Sequence, residues 1–144
     1  MMKKLLISFV SLIVLLSGCG QGASSEEIAK LAYEWEKARF DNDYDRQQDF
    51  LYEEGSYDVD KDSKKLDSGL KYEDIRYEIY YDKELEHYYV FVEFKNPKGE
   101  NTVNDSLMFR KKDGKWKLDQ NQSMNINADK IKREFEREAC INCK

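Results

Sequence analysis

Two cysteines near the C-terminus have the spacing of half a metal site or of a redox pair. Cys140 and Cys143 are separated by two residues and followed by Lys144. A redox pair needs its first thiol at a helix N-terminus, where partial positive charge lowers the thiol pKa, but here the predicted helix precedes the pair. Zinc needs four ligands, and besides Cys19 the chain offers one histidine, His87. The pattern favours a Cys140–Cys143 disulfide; free or intermolecular thiols and redox or metal chemistry are the alternatives.

The third cysteine, Cys19, ends the most informative stretch of the chain. A short basic start at residues 1–4 precedes an almost unbroken apolar run at 5–16, and the small residues Ser17 and Gly18 stand before Cys19. The run is shorter than the roughly twenty residues that a helix needs to cross a bilayer. This order predicts a secretory signal peptide that ends in a lipobox, and an ordinary signal peptide with a chance cysteine is the alternative.

The lipobox resembles the bacterial lipoprotein signal, in which the cysteine thiol receives a diacylglycerol and the chain is cut just before it. The resemblance implies that residues 1–18 are removed, that Cys19 is lipidated and begins the mature protein, and that residues 19–25 form a flexible tether. It also implies a lipid-anchored protein on the extracytoplasmic face of the cell membrane.

Charge and length limit the function classes. Removing residues 1–18 takes away Lys3 and Lys4 but no acid, which leaves 22 basic and 29 acidic residues, a net charge of −7, in 126 of the 144 residues. That length fits one domain. An acidic surface excludes nucleic acid as a partner and leaves membrane attachment to the lipid. The aspartate runs at 41–45 and 58–62 lack the glycine and glutamate of a calcium loop, so we predict no metal and no cofactor.

The N-terminal part of the domain has helical periodicity. Ser24 and Glu27 form a capping box, and the apolar spacing that follows predicts an amphipathic helix over about 25–40. A second, short helical piece is predicted over 44–53, before a polar, turn-rich loop at 57–69.

From residue 75 the period of the pattern changes to two. Apolar residues alternate at 75–81, 88–94, 102–111 and 116–118, with turn residues between these segments. This pattern predicts an antiparallel meander of four strands.

A last helix is predicted after Asn127, with Ile131, Phe135 and Ala139 on one side. Helices followed by a sheet indicate an α+β fold. We therefore predict a single domain at 26–144, in which an N-terminal helix packs on a four-stranded antiparallel sheet and a C-terminal helix follows.

The strand alternation divides the candidate site residues between two faces. Asp105 faces the first helix together with Tyr77, Tyr81 and Tyr88, which makes these four a candidate cup. The alternative is an Asp105 at the rim of the sheet, hydrogen-bonded to tyrosine or water.

The opposite face of the sheet carries apolar side chains that need an explanation. Alternation places Tyr80, Tyr89, Phe91 and Met108 outward, beside His87. Apolar groups on a wet face usually find a cover, so either the last helix folds onto them or they form a partner-binding surface. No serine or cysteine elbow accompanies His87, and we predict no catalytic triad.

The pattern from Ser25 to about Gln120, with its aromatic-rich first helix and its hairpin at 109–118, resembles the nuclear transport factor 2-like or cystatin-like roll of small secreted lipoproteins. The terminal helix and its cysteine pair depart from that pattern. In members that are enzymes, an acid and tyrosines inside the cup transfer protons, aided by the raised pKa of a carboxylate in apolar surroundings.

These observations favour a lipid-anchored cell-surface binding or interaction protein without catalytic activity, attached to the membrane through diacylglycerol and facing a membrane or envelope protein. One alternative is a small-molecule enzyme or ligand-binding cup around Asp105 and the tyrosines. Another is an exclusion or immunity lipoprotein of a mobile genetic element. A deep apolar cup with convergent polar groups would favour the enzyme, whereas an interior filled by Trp35 and the tyrosines would favour the binding protein.

Overall fold

The computed structural model describes residues 22–144. The predicted signal peptide at 1–18, Cys19 and the start of the tether lie outside the described residues. In chain order the elements are α1 (Ser25–Phe40), α2 (Tyr44–Phe50), a 3-10 turn (Tyr72–Asp74), β1 (Arg76–Asp82), β2 (His87–Lys95), β3 (Thr102–Lys112), β4 (Lys115–Leu118), α3 (Gln120–Ser123), α4 (Ala128–Glu134) and β5 (Arg137–Ile141).

Helix α1 begins at its predicted cap and buries one stripe of side chains. The Ser24 hydroxyl accepts a hydrogen bond from the Glu27 backbone N–H at 3.1 Å, which satisfies one of the free donors of the first turn. Ile28, Ala32 and Trp35 recur along the buried face, as the helical spacing predicted.

Helix α2 is shorter than predicted because the residue that follows it pairs with β4. Leu51 adopts an extended conformation and forms a parallel bridge with Leu118, and the Tyr52 N–H donates to the Leu118 carbonyl at 2.8 Å. The helix therefore ends at Phe50, and the segment after it covers the outer edge of β4.

The sheet has five antiparallel strands in the order β4-β3-β2-β1-β5. The first four form the predicted meander. The β3–β4 turn is tight because Asp113 and Gly114 both take positive φ angles, 52° and 77°, a backbone conformation that favours this pair of residue types in two-residue hairpins.

The predicted C-terminal helix is only half correct. Asn127 caps it as expected, its side-chain oxygen accepting from the Lys130 N–H at 3.0 Å, but α4 ends at Glu134. Beyond it, β5 pairs with β1, so Ala139 lies on a strand instead of sharing a helical face with Ile131. The physical reason is that β1 would otherwise leave a free edge, whose backbone groups β5 satisfies.

Side chains from α1 and the inner face of the sheet form the core. It contains Ile28 and Trp35 from the helix and Tyr77, Tyr88 and Phe109 from the strands, all fully or nearly fully buried. Helix α4 lies on the opposite face, where Ile131 is buried. The domain is thus an α+β fold in which α1 packs on one face of the sheet.

Candidate functional site

Core side chains fill the predicted cup between α1 and the sheet. Trp35, Tyr77 and Tyr88 are buried members of one continuous hydrophobic core. The Tyr77 hydroxyl donates to the Tyr72 carbonyl at 3.2 Å and the Tyr88 hydroxyl donates to the Ala23 carbonyl at 2.7 Å. Burial raises the pKa of Tyr88 to about 12. These hydroxyls satisfy backbone carbonyls instead of pointing into an open site.

The structure does not bring the four predicted cup residues together. Asp105 pairs with Val92 across β2–β3, whereas Tyr88 pairs with Phe109, four residues further along β3. At about 3.3 Å per residue this separates the two positions by roughly 13 Å. Tyr81 stacks on Tyr88 with ring centroids 4.4 Å apart, so both tyrosines lie at the end of the sheet away from Asp105.

Asp105 lies at the rim of the sheet and binds an arginine. Its carboxylate accepts a hydrogen bond from the Arg39 guanidinium, and the same guanidinium donates to Glu36 at 2.9 Å. Arg39 also lies over the Tyr57 ring, 5.8 Å from its centroid. The carboxylate of Asp105 is therefore neutralised by a partner on α1, and the contact joins the C-terminal half of α1 to β3.

Glu36 is a buried acid that the sequence reasoning missed. Its side chain is fully buried, and one carboxylate oxygen, Oε1, has no hydrogen-bond partner among the described residues. Burial raises its pKa to about 8, although Arg39 opposes the shift. The signal was present in the sequence: Glu36 continues the buried stripe of Ile28 and Ala32 at intervals of four residues.

A second buried polar residue, Gln47, connects α1, α2 and the following loop. Its side-chain amide donates to the Ala38 carbonyl at 3.1 Å and to the Asp60 carboxylate at 2.8 Å. Asp60 belongs to one of the two acidic runs and is thus used in a structural contact. Among residues 22–144, no group of three or more His, Cys, Asp or Glu side chains is arranged to hold a metal ion.

The pocket next to Asp105 is small. It has a volume of about 270 Å³ and is lined by Trp35, Arg39, Asp105 and residues of β3 and α3. Sites for drug-sized ligands have volumes of about 300–1,000 Å³ and an apolar lining with a few polar groups. Proton transfer at Asp105 would need a deep cavity and an unpaired carboxylate. The adjoining pocket is small, and the carboxylate is bound by Arg39.

Helix α4 partly covers the outer face of the sheet. Tyr80 and Met108 are buried, with 6% and 4% of their surfaces exposed, so these two members of the predicted partner surface are not available to a partner. Tyr89 and Phe91 remain half-buried. Phe135 lies against Tyr89, with ring centroids 5.9 Å apart, so the residue after α4 contributes to the cover.

Charged groups fix α4 in place on this face. Lys132 lies over the Phe91 ring, 4.9 Å from its centroid, and its ammonium is 3.7 Å from the Glu78 carboxylate. Glu78 also accepts a hydrogen bond from the Tyr80 hydroxyl at 3.1 Å. Burial opposes ionisation of Glu78, but the hydrogen bond from Arg76, the charge of Lys132 and the hydrogen bond from Tyr80 together lower its pKa.

An open groove remains between α4, the β1–β2 turn and the sheet. We call it the outer groove; it has a volume of about 610 Å³, and its lining includes Leu85, His87, Tyr89, Arg110 and Phe135. Leu85 has 62% of its surface exposed. Burial and the charge of Arg110 lower the pKa of His87, which favours the neutral imidazole. Aromatic and aliphatic groups inside a polar rim suit contact with an apolar segment of a partner.

The C-terminal cysteines lie where the chain end meets the start of β1. The structure joins Cys140 and Cys143 by a disulfide, with Cα atoms 5.8 Å apart. Between them, the Asn142 side chain donates to the carbonyls of Tyr72 and Ile75, both at 3.0 Å. The sequence reasoning missed Asn142, whose positive φ of 56° belongs to a conformation that asparagine tolerates well.

Within residues 22–144, no helix is long and apolar enough to cross a membrane. Comparisons of the chain with protein-family models, curated proteins and solved structures give no match. The resemblance to the nuclear transport factor 2-like roll therefore stays a prediction.

Proposed function

We propose that this chain is a lipid-anchored cell-surface interaction protein that works without catalysis. The observation that carries the proposal is the filled interior: Trp35, Tyr77 and Tyr88 occupy the space that a substrate would need. The only acid of the predicted cup is bound by Arg39 at the rim. Both features favour a structural role for the inner face of the sheet.

The outer groove is the surface that best supports an interaction. It combines exposed Leu85 with half-buried Tyr89 and Phe135, and aromatic residues are enriched where proteins meet partners. One basic group of its lining, Arg110, is neutralised: its guanidinium lies 3.0 Å from the Asp119 carboxylate. An apolar segment of a membrane or envelope protein fits this lining better than a nucleic acid or a phosphate does.

The anchor is tested by replacing its cysteine. A Cys19→Ser protein should be released from the membrane fraction and remain folded, because the predicted lipid carries the attachment and makes no core contact. Detergent phase partitioning and circular dichroism measure the two properties. Membrane association that survives the substitution and a salt wash contradicts the anchor.

The interaction surface is tested by photo-crosslinking in cells. A photoreactive amino acid in place of Leu85, at the edge of the outer groove, should give a discrete adduct, and a Tyr89→Glu substitution in the same chain should remove it. The matched control position is Val59, which is 72% exposed and lies in the loop after α2. Equal adducts from both positions, or an adduct indifferent to Tyr89→Glu, would exclude the groove.

A further inference from the structure

The end of the domain from which the chain leads back to Cys19 is fixed by a hydrogen bond. The Tyr88 hydroxyl donates to the Ala23 carbonyl at 2.7 Å, which holds the start of the described chain against the sheet. Cys19 precedes Gly22 by three residues. A fully extended chain spans at most about 3.6 Å per residue, so a lipid on Cys19 lies within roughly 11 Å of Gly22. This end of the domain must therefore face the bilayer closely.

A basic hairpin lies at the same end. Tyr88 packs edge-on against Trp116 of β4, with ring centroids 4.9 Å apart, and Lys111 lies over the Trp116 ring at 5.3 Å. In the β3–β4 register Lys111 pairs with Trp116 and Lys112 pairs with Lys115. Cross-strand partners share a face, so the hairpin presents cations on both of its faces.

The lysines of this hairpin have no acidic partner. Lys111, Lys112, Lys115 and Lys117 form no ion pair with any of residues 22–144. Lys112 donates to the Tyr52 carbonyl and Lys117 to the Asp49 carbonyl, while Lys111, Lys112 and Lys115 are exposed. Four cations so close together, in a chain that is acidic as a whole, make a local positive patch that the net charge conceals.

Asp113 lies in the turn of the hairpin itself, and Glu27 and Asp49 line the surface beside it. Within the hairpin four lysines therefore stand against one acid.

Further acids at this end lie on the other half of the sheet. Glu84 and Glu86 occupy the β1–β2 turn, and Glu138 lies on β5. Strand order places β4 and β5 at opposite edges. An anionic surface would attract one edge and repel the other, and the domain would tilt with β4 toward it.

We propose that the β3–β4 hairpin docks on anionic lipid headgroups, with Lys111 and Lys112 as the main electrostatic contacts and with Lys115 and Trp116 beside them at the interface. This inference rests on the proposed lipid anchor, which supplies proximity, while the hairpin supplies orientation. Tryptophan and lysine are residues that settle at the headgroup level of a bilayer. The outer groove, bordered by the β1–β2 turn at the same end, then opens close to the membrane, within reach of a neighbouring membrane protein.

The test measures thiol accessibility in the full lipidated protein, reconstituted into phosphatidylcholine vesicles with and without phosphatidylglycerol. A Lys115→Cys variant reports on the hairpin. A matched Glu100→Cys variant reports on the exposed β2–β3 turn at the opposite end of the sheet. A bulky maleimide should label the Lys115→Cys thiol roughly tenfold more slowly in anionic vesicles than in detergent, and the Glu100→Cys thiol at a similar rate in both. The unsubstituted protein gives the background labelling.

Charge removal separates docking from anchoring. In the Lys115→Cys background, Lys111→Gln with Lys112→Gln should abolish most of the protection, while the protein still floats with the vesicles. A second measurement needs no substitution: headgroup spin-labelled lipids should quench the half-buried Trp116 in anionic vesicles and leave the fully buried Trp35 emitting.

Each outcome has a distinct meaning. Protein that floats while its hairpin thiol labels as fast as in detergent, with Trp116 unquenched, overturns the docking and leaves the anchor intact. Protection that is equal in vesicles without anionic lipid, or that survives removal of the two lysines, overturns the electrostatic contact. Protein that does not float at all overturns the anchor, and with it the orientation that depends on it.

Discussion

The two faces of the sheet are covered to different extents. On the inner face α1 runs for sixteen residues, about 24 Å at 1.5 Å per residue, and the side chains beneath it are excluded from water. On the outer face α4 has seven residues, about 10 Å long, and Tyr89 and Phe91 stay half-buried. The difference separates two tasks: the inner face holds the fold together, and the outer face retains surface for a partner.

The largest expected difference between the two faces is in the free energy of unfolding when one aromatic residue on each face is truncated. Trp35→Ala should lower the free energy of unfolding by about 3–5 kcal/mol, because it leaves a large cavity in the core. The matched Phe135→Ala change should lower it by about 1–2 kcal/mol, because that ring is only half-buried. Urea denaturation of the purified domains measures both values. Equal losses would mean that the outer face contributes as much to stability as the core does.

The next effect concerns the buried acid of the inner face. Because the folded pKa of Glu36 is raised to about 8 from 4.5, the unfolded chain loses this proton first as the pH rises. Glu36 should therefore reduce stability progressively from about pH 5 to pH 8, with no further change above pH 8. Glu36→Gln should remove this dependence and stabilise the protein most at high pH.

Denaturant titrations at several pH values, comparing Glu36→Gln with the unsubstituted protein, isolate this contribution. The comparison is needed because His87, whose lowered pKa reflects burial and Arg110, acts in the opposite direction as the pH rises toward 6.5. Parallel pH curves for the two proteins would show that Glu36 titrates normally in the folded state.

The sequence predicted elements well where local periodicity determines them. Helix α1 and the first four strands follow the apolar spacing, and the β3–β4 turn follows its Asp113-Gly114 pair. Long-range choices were not predictable in this way. The residues of β5 also fit a helical pattern, and they form a strand because β1 offers a free edge that the sequence does not display.

The candidate site was harder to predict than the fold because alternation gives the face of a strand residue but not its position along the sheet. Asp105 does lie on the inner face, yet four residues along the strand separate it from Tyr88. The partner of Asp105 comes from α1, 66 residues away in sequence, and local spacing cannot identify such a contact. Similarly, the burial of Tyr80 and Met108 depends on where α3 and α4 lie on the sheet, and the Met108 N–H donates to the Ser123 hydroxyl of α3.

A smaller effect is expected at the rim of the inner face. Asp105→Asn should lower stability by about 1 kcal/mol, because the amide oxygen can still accept a hydrogen bond from Arg39. With the charge of Asp105 gone, the pKa of Glu36 should fall, since the neighbouring carboxylate contributes to raising it. Urea titration and the pH dependence described above measure the two changes. Asp105→Asn should also complement a strain that lacks this protein as well as the unsubstituted chain does. Failure of a folded Asp105→Asn protein to complement would favour proton-transfer chemistry.

The smallest effect is expected at the C-terminal staple, where a covalent and a non-covalent contact fasten the same segment. The disulfide closes a loop with a sequence separation of only three residues, so its chain-entropy contribution is on the order of 1–2 kcal/mol at most. Asn142 holds the same segment to Tyr72 and Ile75 without it. The Cys140→Ser, Cys143→Ser double variant should therefore keep its fold and lose no more than about 1 kcal/mol, as should Asn142→Ala alone. The triple variant should lose more than the sum, because either contact holds the segment when the other is removed. Hydrogen exchange at the β5 amides measures the loss of stability in this segment. Mass spectrometry of the C-terminal peptide shows whether the thiols are free or joined. Free thiols in protein recovered from cells would show that Asn142 fastens β5 to β1 without a disulfide, and additive losses in the triple variant would show that the two contacts act independently.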